Sequence, residues 1–264
     1  MDRAILVSTD GSEYSEGAVK EAINITKLCG SKLYSMSVID TSFAYYPNFL
    51  AISHTIIEDL KKELSTYLEG IKDKAAKDNV KCEIIIRDGE DPYKLIIEEA
   101  DKRQAGLIVM GRRGSKGLMR ILLGSTTSRV IGHASCKVLV VPRASSIKWK
   151  HIVLATDGSK HSEAASQEAI NLIKNYCKAC TLNVISIVPS GASKEMGKVS
   201  EDTLYRIKSK ALKENIKVDT LLIKDRPHES IHESIIKYAK NKDADIIFIG
   251  SHGRSGLKNC LWEV

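Results

Sequence analysis

Short, nearly continuous runs of apolar residues alternate along this chain with longer stretches whose apolar positions recur at helical spacing. In the first half the apolar runs predict strands at 4–8, 32–38, 82–87, 107–110 and 137–141. The amphipathic stretches between them predict helices near 12–29, 51–78, 92–103 and 125–133. The second half predicts strands at 151–155, 181–188, 217–223 and 245–249. Strands that are apolar throughout and separated by helices indicate a parallel sheet covered on both faces. Right-handed crossovers then give an open, doubly wound α/β sheet.

The pattern occurs twice because the sequence does. Ala4-Ile-Leu-Val-Ser-Thr-Asp-Gly-Ser12 returns as Ile152-Val-Leu-Ala-Thr-Asp-Gly-Ser159, and Glu21-Ala-Ile-Asn24 returns as Glu168-Ala-Ile-Asn171 at the same offset of 147. Gly106-Leu-Ile-Val-Met-Gly-Arg-Arg-Gly-Ser-Lys-Gly-Leu118 returns as Asp245-Ile-Ile-Phe-Ile-Gly-Ser-His-Gly-Arg-Ser-Gly-Leu257 at an offset of 139. Two domains are therefore expected, 1–145 and 146–264, joined by a short polar stretch after Pro142. The repeat does not extend to the end: 31 residues separate Gly111 from Pro142, but only 14 separate Gly250 from Val264. The second copy is short by about one helix and one strand. Two five-stranded sheets are expected, the second without its last helix and strand.

Composition narrows the function without choosing one. With 43% hydrophobic and 28% charged residues the chain is ordinary globular protein. No apolar run approaches the roughly 18 residues of a membrane span, and the opening apolar run is too short for a secretory signal. A cytoplasmic location is expected. The net charge of +7 admits phosphate-bearing partners. Aromatics at 5% and the absence of a cationic block give nucleic-acid binding no support. Of six cysteines only Cys177-Lys-Ala-Cys180 has metal or redox spacing. A structural zinc site would need a second pair or nearby histidines. The pair is therefore expected to be two reduced thiols at a helix end, with a thioredoxin-like redox role as the sharper alternative.

Ligands of open α/β sheets bind beyond the carboxyl ends of the strands, where the strand order reverses. In the first copy those ends carry Ser8-Thr9-Asp10-Gly11, Val38-Ile39-Asp40, Arg87-Asp88-Gly89 and Gly111-Arg112-Arg113-Gly114. Gly124-Ser125-Thr126-Thr127 opens the fourth helix soon after, and Arg112, Arg113, Lys116 and Arg120 surround the same loop. Glycine lets backbone N–H groups approach an anion, and a helix N-terminus adds partial positive charge. Amides, hydroxyls and cations meeting in one place suit a phosphate. The spacing is neither a Walker A loop nor the Gly-x-Gly-x-x-Gly of dinucleotide folds.

At these residues the sequence resembles the universal stress protein family, specifically its tandem two-domain members, over nearly the whole chain. That family's nucleotide-binding variety carries Gly-x2-Gly-x9-Gly-Ser/Thr, which Gly111, Gly114, Gly124 and Ser125 match. The resemblance implies an adenine-nucleotide α-hydrolase-like fold and a site for ATP or AMP, with magnesium as an accompanying ion. By that resemblance Asp10 and Val38 would contact adenine or ribose. Gly111 and Gly114 would line the ribose and phosphates, and Gly124 with Ser125 would cap the phosphates. Thr9 and Thr127 are secondary contacts, and Ser8, Met110, Arg112 and Thr126 complete the candidate set. The family's fifth strand commonly pairs across a dimer or between tandem halves, so a homodimer through 137–141 is expected, with a monomer whose two halves pack as a pseudo-dimer as the alternative.

The second copy keeps Thr156, Asp157, Gly250 and Gly253, but Glu263 and Val264 stand where Gly124 and Ser125 would be. A nucleotide site is not expected there, and Asp157 reads as a turn or capping residue. Ser12 and Ser159 read as helix caps, and His133 and His252 as hydrogen-bonded or exposed histidines without a catalytic partner. The aromatic segment 43–49, absent from the second copy, reads as packing on its own domain rather than as a lid. Three functions remain in order: a regulatory nucleotide-binding protein, an interaction protein of the same fold with empty sites, and an α-hydrolase-type enzyme. No Ser-Gly-Gly-x-Asp-Ser adenylating signature supports the third, and any ATP hydrolysis would be slow because no base or water-positioning residue stands out.

Overall fold

The computed structural model describes residues 3–42, 53–112, 123–144, 146–224 and 230–251. The chain divides into two units, Met1–Ser145 and Ser146–Val264. The first contains β1 (Ile5–Ser8), a single 3-10 turn at Glu13–Ser15, α1 (Glu16–Cys29), β2 (Leu33–Asp40), α2 (Ser53–Lys77), β3 (Cys82–Gly89), α3 (Pro92–Lys102), β4 (Leu107–Gly111), α4 (Ser125–His133) and β5 (Lys137–Val141). The second contains β6 (His151–Ala155), α5 (Lys160–Tyr176), β7 (Thr181–Val188), α6 (Lys194–Lys213), β8 (Lys217–Lys224), α7 (Ile231–Asn241) and β9 (Ile246–Ile249).

All strand pairings are parallel, in the order β3-β2-β1-β4-β5 in the first sheet and β8-β7-β6-β9 in the second. The register places Ser8 between Met36 and Met110, and Ala155 between Ile185 and Ile249. Central strands read as unbroken apolar runs because both faces are covered. Leu6, Ile108, Ile152 and Leu154 are fully buried, each stabilising its unit by about 1.5–3 kcal/mol. With right-handed crossovers, α1 and α2 cover one face of the first sheet and α3 and α4 the other. α1 packs on β1, β4 and β5, α2 on β2 and β3, and α3 on α4. In the second sheet Ile235 and Ala239 of α7 pack against Val153, Ala155, Ile185 and Ile247.

Strand and helix ends move by a few residues from the sequence expectation, for local reasons. The first helix begins as a 3-10 turn because Ser15 donates its N–H to the Ser12 carbonyl at 3.0 Å. β9 starts at Ile246, and Asp245 before it donates its N–H to the His151 carbonyl at 2.8 Å while its carboxylate accepts the N–H groups of Lys148, Lys150 and His151. Burial alone would push the Glu99 carboxyl up. The Arg87 guanidinium at 2.6 Å, with Lys102 and Arg103, outweighs burial and holds Glu99 below its ordinary value, tying α3 to β3. Among the described residues no helix is long and apolar enough to cross a membrane. The aromatic segment 43–49 lies outside the described residues.

Candidate functional site

The strand order of the first sheet reverses between β1 and β4, so the crevice at their carboxyl ends is the topological switch point. The turn after β1 forms one wall. Thr9 donates its N–H to the Met36 carbonyl at 2.9 Å, and its carbonyl accepts from the Ser37 hydroxyl at 2.8 Å. The Thr9 hydroxyl faces inward: it meets Ser15 Oγ at 2.7 Å, lies 3.4 Å from Tyr67 Oη, and accepts the Gly11 N–H at 3.1 Å. Gly11 has φ +77°, a conformation glycine adopts without Cβ strain. Asp10 is exposed at the tip, and its Oδ1 accepts from Ser12 N at 3.1 Å and Ser12 Oγ at 2.6 Å. One carboxylate oxygen shapes the turn while the residue stays exposed.

The other wall is built from β4 and α4. Met110 is buried, and Gly111 ends the strand. Arg112 donates its N–H to the Val141 carbonyl at 3.1 Å, and its own carbonyl accepts from Gly124 N at 2.8 Å. Thr127, 5% exposed, donates its hydroxyl to the Gly111 carbonyl at 3.1 Å. These two bonds fix the start of α4 against the end of β4. Gly124 occupies the N-cap position with φ −67° and ψ 147°, ordinary extended backbone that any residue adopts. The glycine is therefore not demanded by conformation. What it supplies is the absence of a side chain before the first N–H groups of α4, at Ser125, Thr126 and Thr127.

Of the candidate residues, Ser8, Thr9, Asp10, Met110, Gly111, Arg112, Gly124, Ser125, Thr126 and Thr127 belong to these two walls. Val38 lies on β2, beyond the last β1 partner Met36, and is half-buried. Gly114, with Arg113, Lys116 and Arg120, lies outside the described residues. The hydroxyls of Thr9 and Thr127 support the walls rather than project from them. Sequence reasoning missed Ser15 and Tyr67 beneath Thr9. A signal for Ser15 was present: Thr9 and Ser15 both recur at the offset of 147, as Thr156 and Ser162. Among the described residues no three carboxylate, imidazole or thiol groups gather as metal ligands.

The second unit repeats the first wall and shows what that wall does on its own. Thr156 Oγ1 donates to Ser162 Oγ at 3.0 Å and accepts the Gly158 N–H at 3.2 Å, and Gly158 has φ +76°. Asp157 Oδ1 accepts the Ser159 N–H at 2.9 Å, the turn role expected of it. Ser159 caps α5 by accepting the Ser162 N–H. Ser12 departs from its expectation as a cap: its hydroxyl is donated to Asp10 instead. A Cβ on Gly250 would lie 2.6 Å from Ser162 N, so close packing on α5 accounts for this glycine. His133 is hydrogen-bonded, its Nδ1 2.8 Å from the Arg129 carbonyl. His252, Gly253, Glu263 and Val264 lie outside the described residues.

The model of the universal stress protein family matches residues 1–142 and again 148–262. The chain belongs to the universal stress protein family. Its two matches make it a tandem member. A universal stress protein of Methanocaldococcus jannaschii is 42% identical over 142 residues, 53% of this chain and 82% of that protein. One from Synechocystis is 35% identical over 148 residues, 52% of this chain and 96% of that protein. Each relative thus has about the length of one unit. Over both units, the crystal structure of a universal stress protein from Archaeoglobus fulgidus shares the fold with a TM-score of 0.75 at 20% identity. It covers 98% of this chain and 91% of that one.

Proposed function

We propose that the first unit binds an adenine nucleotide, ATP or AMP, in the crevice between β1 and β4. The tandem universal stress protein then acts as a nucleotide-responsive regulator. The observation that carries this reading is the start of α4. Gly124 and Thr127 are bonded back to Arg112 and Gly111, which brings a helix N-terminus without a capping side chain to the end of β4. An anion there gains roughly 0.3–1 kcal/mol from the helix dipole, and up to about 2 kcal/mol when partly buried. The spacing of Gly111, Gly114, Gly124 and Ser125 fits the same reading. Asp10 on the opposite wall offers a carboxylate to the hydroxyl or amino donors of a nucleoside, and Val38 offers an apolar surface to its base.

The second unit keeps the Asp157 turn but carries Glu263 at the position of Gly124. No second nucleotide site is part of this reading. A homodimer through β5 is part of the same proposal. Thermal unfolding of the whole chain tests the central reading. ATP at 100 times its Kd adds about 2.7 kcal/mol of stability, so the melting temperature rises with ATP concentration, and rises less with adenosine. A melting temperature indifferent to ATP, AMP and their magnesium complexes would leave the interaction-protein alternative in its place.

A further inference from the structure

The Cys177-Lys-Ala-Cys180 segment, expected as two reduced thiols, is joined by a disulfide with a Cα–Cα distance of 5.5 Å, within the ordinary disulfide range. Cys177 ends α5, Cys180 leads into β7, and Lys178 and Ala179 between them are exposed. Both sulfur atoms face a single acceptor: the Trp149 carbonyl oxygen lies 3.0 Å from Cys177 Sγ and 2.9 Å from Cys180 Sγ. That carbonyl is held where it is at some cost. Trp149 has φ +56°, a left-handed conformation that is strained in a non-glycine residue. The strain is held by Asp245, 8% exposed, whose carboxylate accepts the N–H groups of Lys148 at 3.2 Å, Lys150 at 2.6 Å and His151 at 2.8 Å.

We propose that Cys177 and Cys180 are a reversible dithiol–disulfide site whose state is sensed by the Trp149 turn. In the reduced form the thiols donate to the Trp149 carbonyl. Oxidation removes both protons and leaves that oxygen facing two sulfurs with nothing to donate. The oxidant is a low-molecular-weight disulfide of the glutathione class. Cys177 is the less buried residue of the pair, 8% exposed against 1% for Cys180. The Cys177 thiolate attacks one sulfur of the oxidant, forming a mixed disulfide and releasing one thiol. Cys180 then attacks Cys177 Sγ, closing the internal disulfide and releasing the second thiol. Two protein S–H bonds are lost and two small-molecule thiols are formed.

Cys177 sits at the carboxyl end of α5, where the helix dipole disfavours a thiolate. Exchange is consequently slow, as befits a sensor rather than an oxidoreductase. Burial pushes the Cys82 thiol up to about 11 and raises that of Cys136 as well, which keeps both out of the exchange.

The test equilibrates the whole chain with buffers of stepped reduced-to-oxidised glutathione ratio, quenches in acid, alkylates under denaturing conditions and weighs the peptides. The Cys177–Cys180 peptide passes from doubly alkylated to internally bridged as the ratio falls. Cys180→Ser accumulates one glutathione on Cys177, whereas Cys177→Ser accumulates far less on Cys180. Amide hydrogen exchange across 148–151 speeds up on oxidation. A pair that stays reduced, or stays bridged, at every ratio overturns the proposal. So does a pair that titrates while exchange at 148–151 does not change.

Discussion

Asp10 and Asp157 hold the same turn in the two units, each accepting the N–H of the serine two residues on. That shared role separates what Asp10 does for the fold from what the proposal asks of it toward a ligand. Asp10→Asn keeps an oxygen for the Ser12 N–H and removes the charge, so the chain without ligand should keep its melting temperature. ATP affinity should fall by roughly 1.5–3 kcal/mol, the value of a hydrogen bond to a charged group. Thermal unfolding checks the first and isothermal calorimetry the second, and unchanged affinity removes Asp10 from the site. Asp157→Asn should change neither quantity. At this scale the sequence was informative where side chains act locally: Asp157 in its turn and Ser159 on its cap are set by residues two and three positions away. It was silent on Thr9 Oγ1 meeting Tyr67 and on the two sulfurs meeting Trp149. Those partners are 58, 28 and 31 residues away in the chain.

Among elements, α4 carries the most. Its span of Ser125–His133 and the following strand Lys137–Val141 are legible from sequence, because both are short apolar periodicities with a glycine before the helix. The bonds that pin the start of α4 to β4 are not legible, since Arg112 and Gly111 act through backbone groups that no side-chain pattern encodes. Gly124→Glu copies the second unit into the first. The extended backbone at Gly124 accepts a glutamate without strain, so the variant should fold and keep its melting temperature without ligand. Its carboxylate would occupy the first turn of α4 and repel phosphate. ATP should bind at least 10-fold more weakly, about 1.4 kcal/mol, and no better than adenosine. A variant that still prefers ATP strongly places the phosphates elsewhere.

For the whole molecule, the edge formed by β5 bears on assembly. The Val141 carbonyl accepts from Arg112 at the end of β4, and successive residues of a strand turn their N–H and C=O groups to opposite sides. Val138 and Val140 therefore direct their backbone groups away from β4, toward the edge of the sheet. An apolar edge strand of this kind invites pairing, and a two-fold contact with the same strand of another chain satisfies it in closed form. Light scattering should give a mass near twice 29.1 kDa. Val140→Pro removes an outward donor while leaving the β4 ladder intact, and should return the mass to that of the monomer. A monomer at high concentration, or a dimer indifferent to Val140→Pro, contradicts that assembly. The most direct test of the asymmetry between the two units is the stoichiometry of ATP binding to the intact chain by calorimetry. One equivalent per chain is the predicted result, and either two equivalents or none would contradict it.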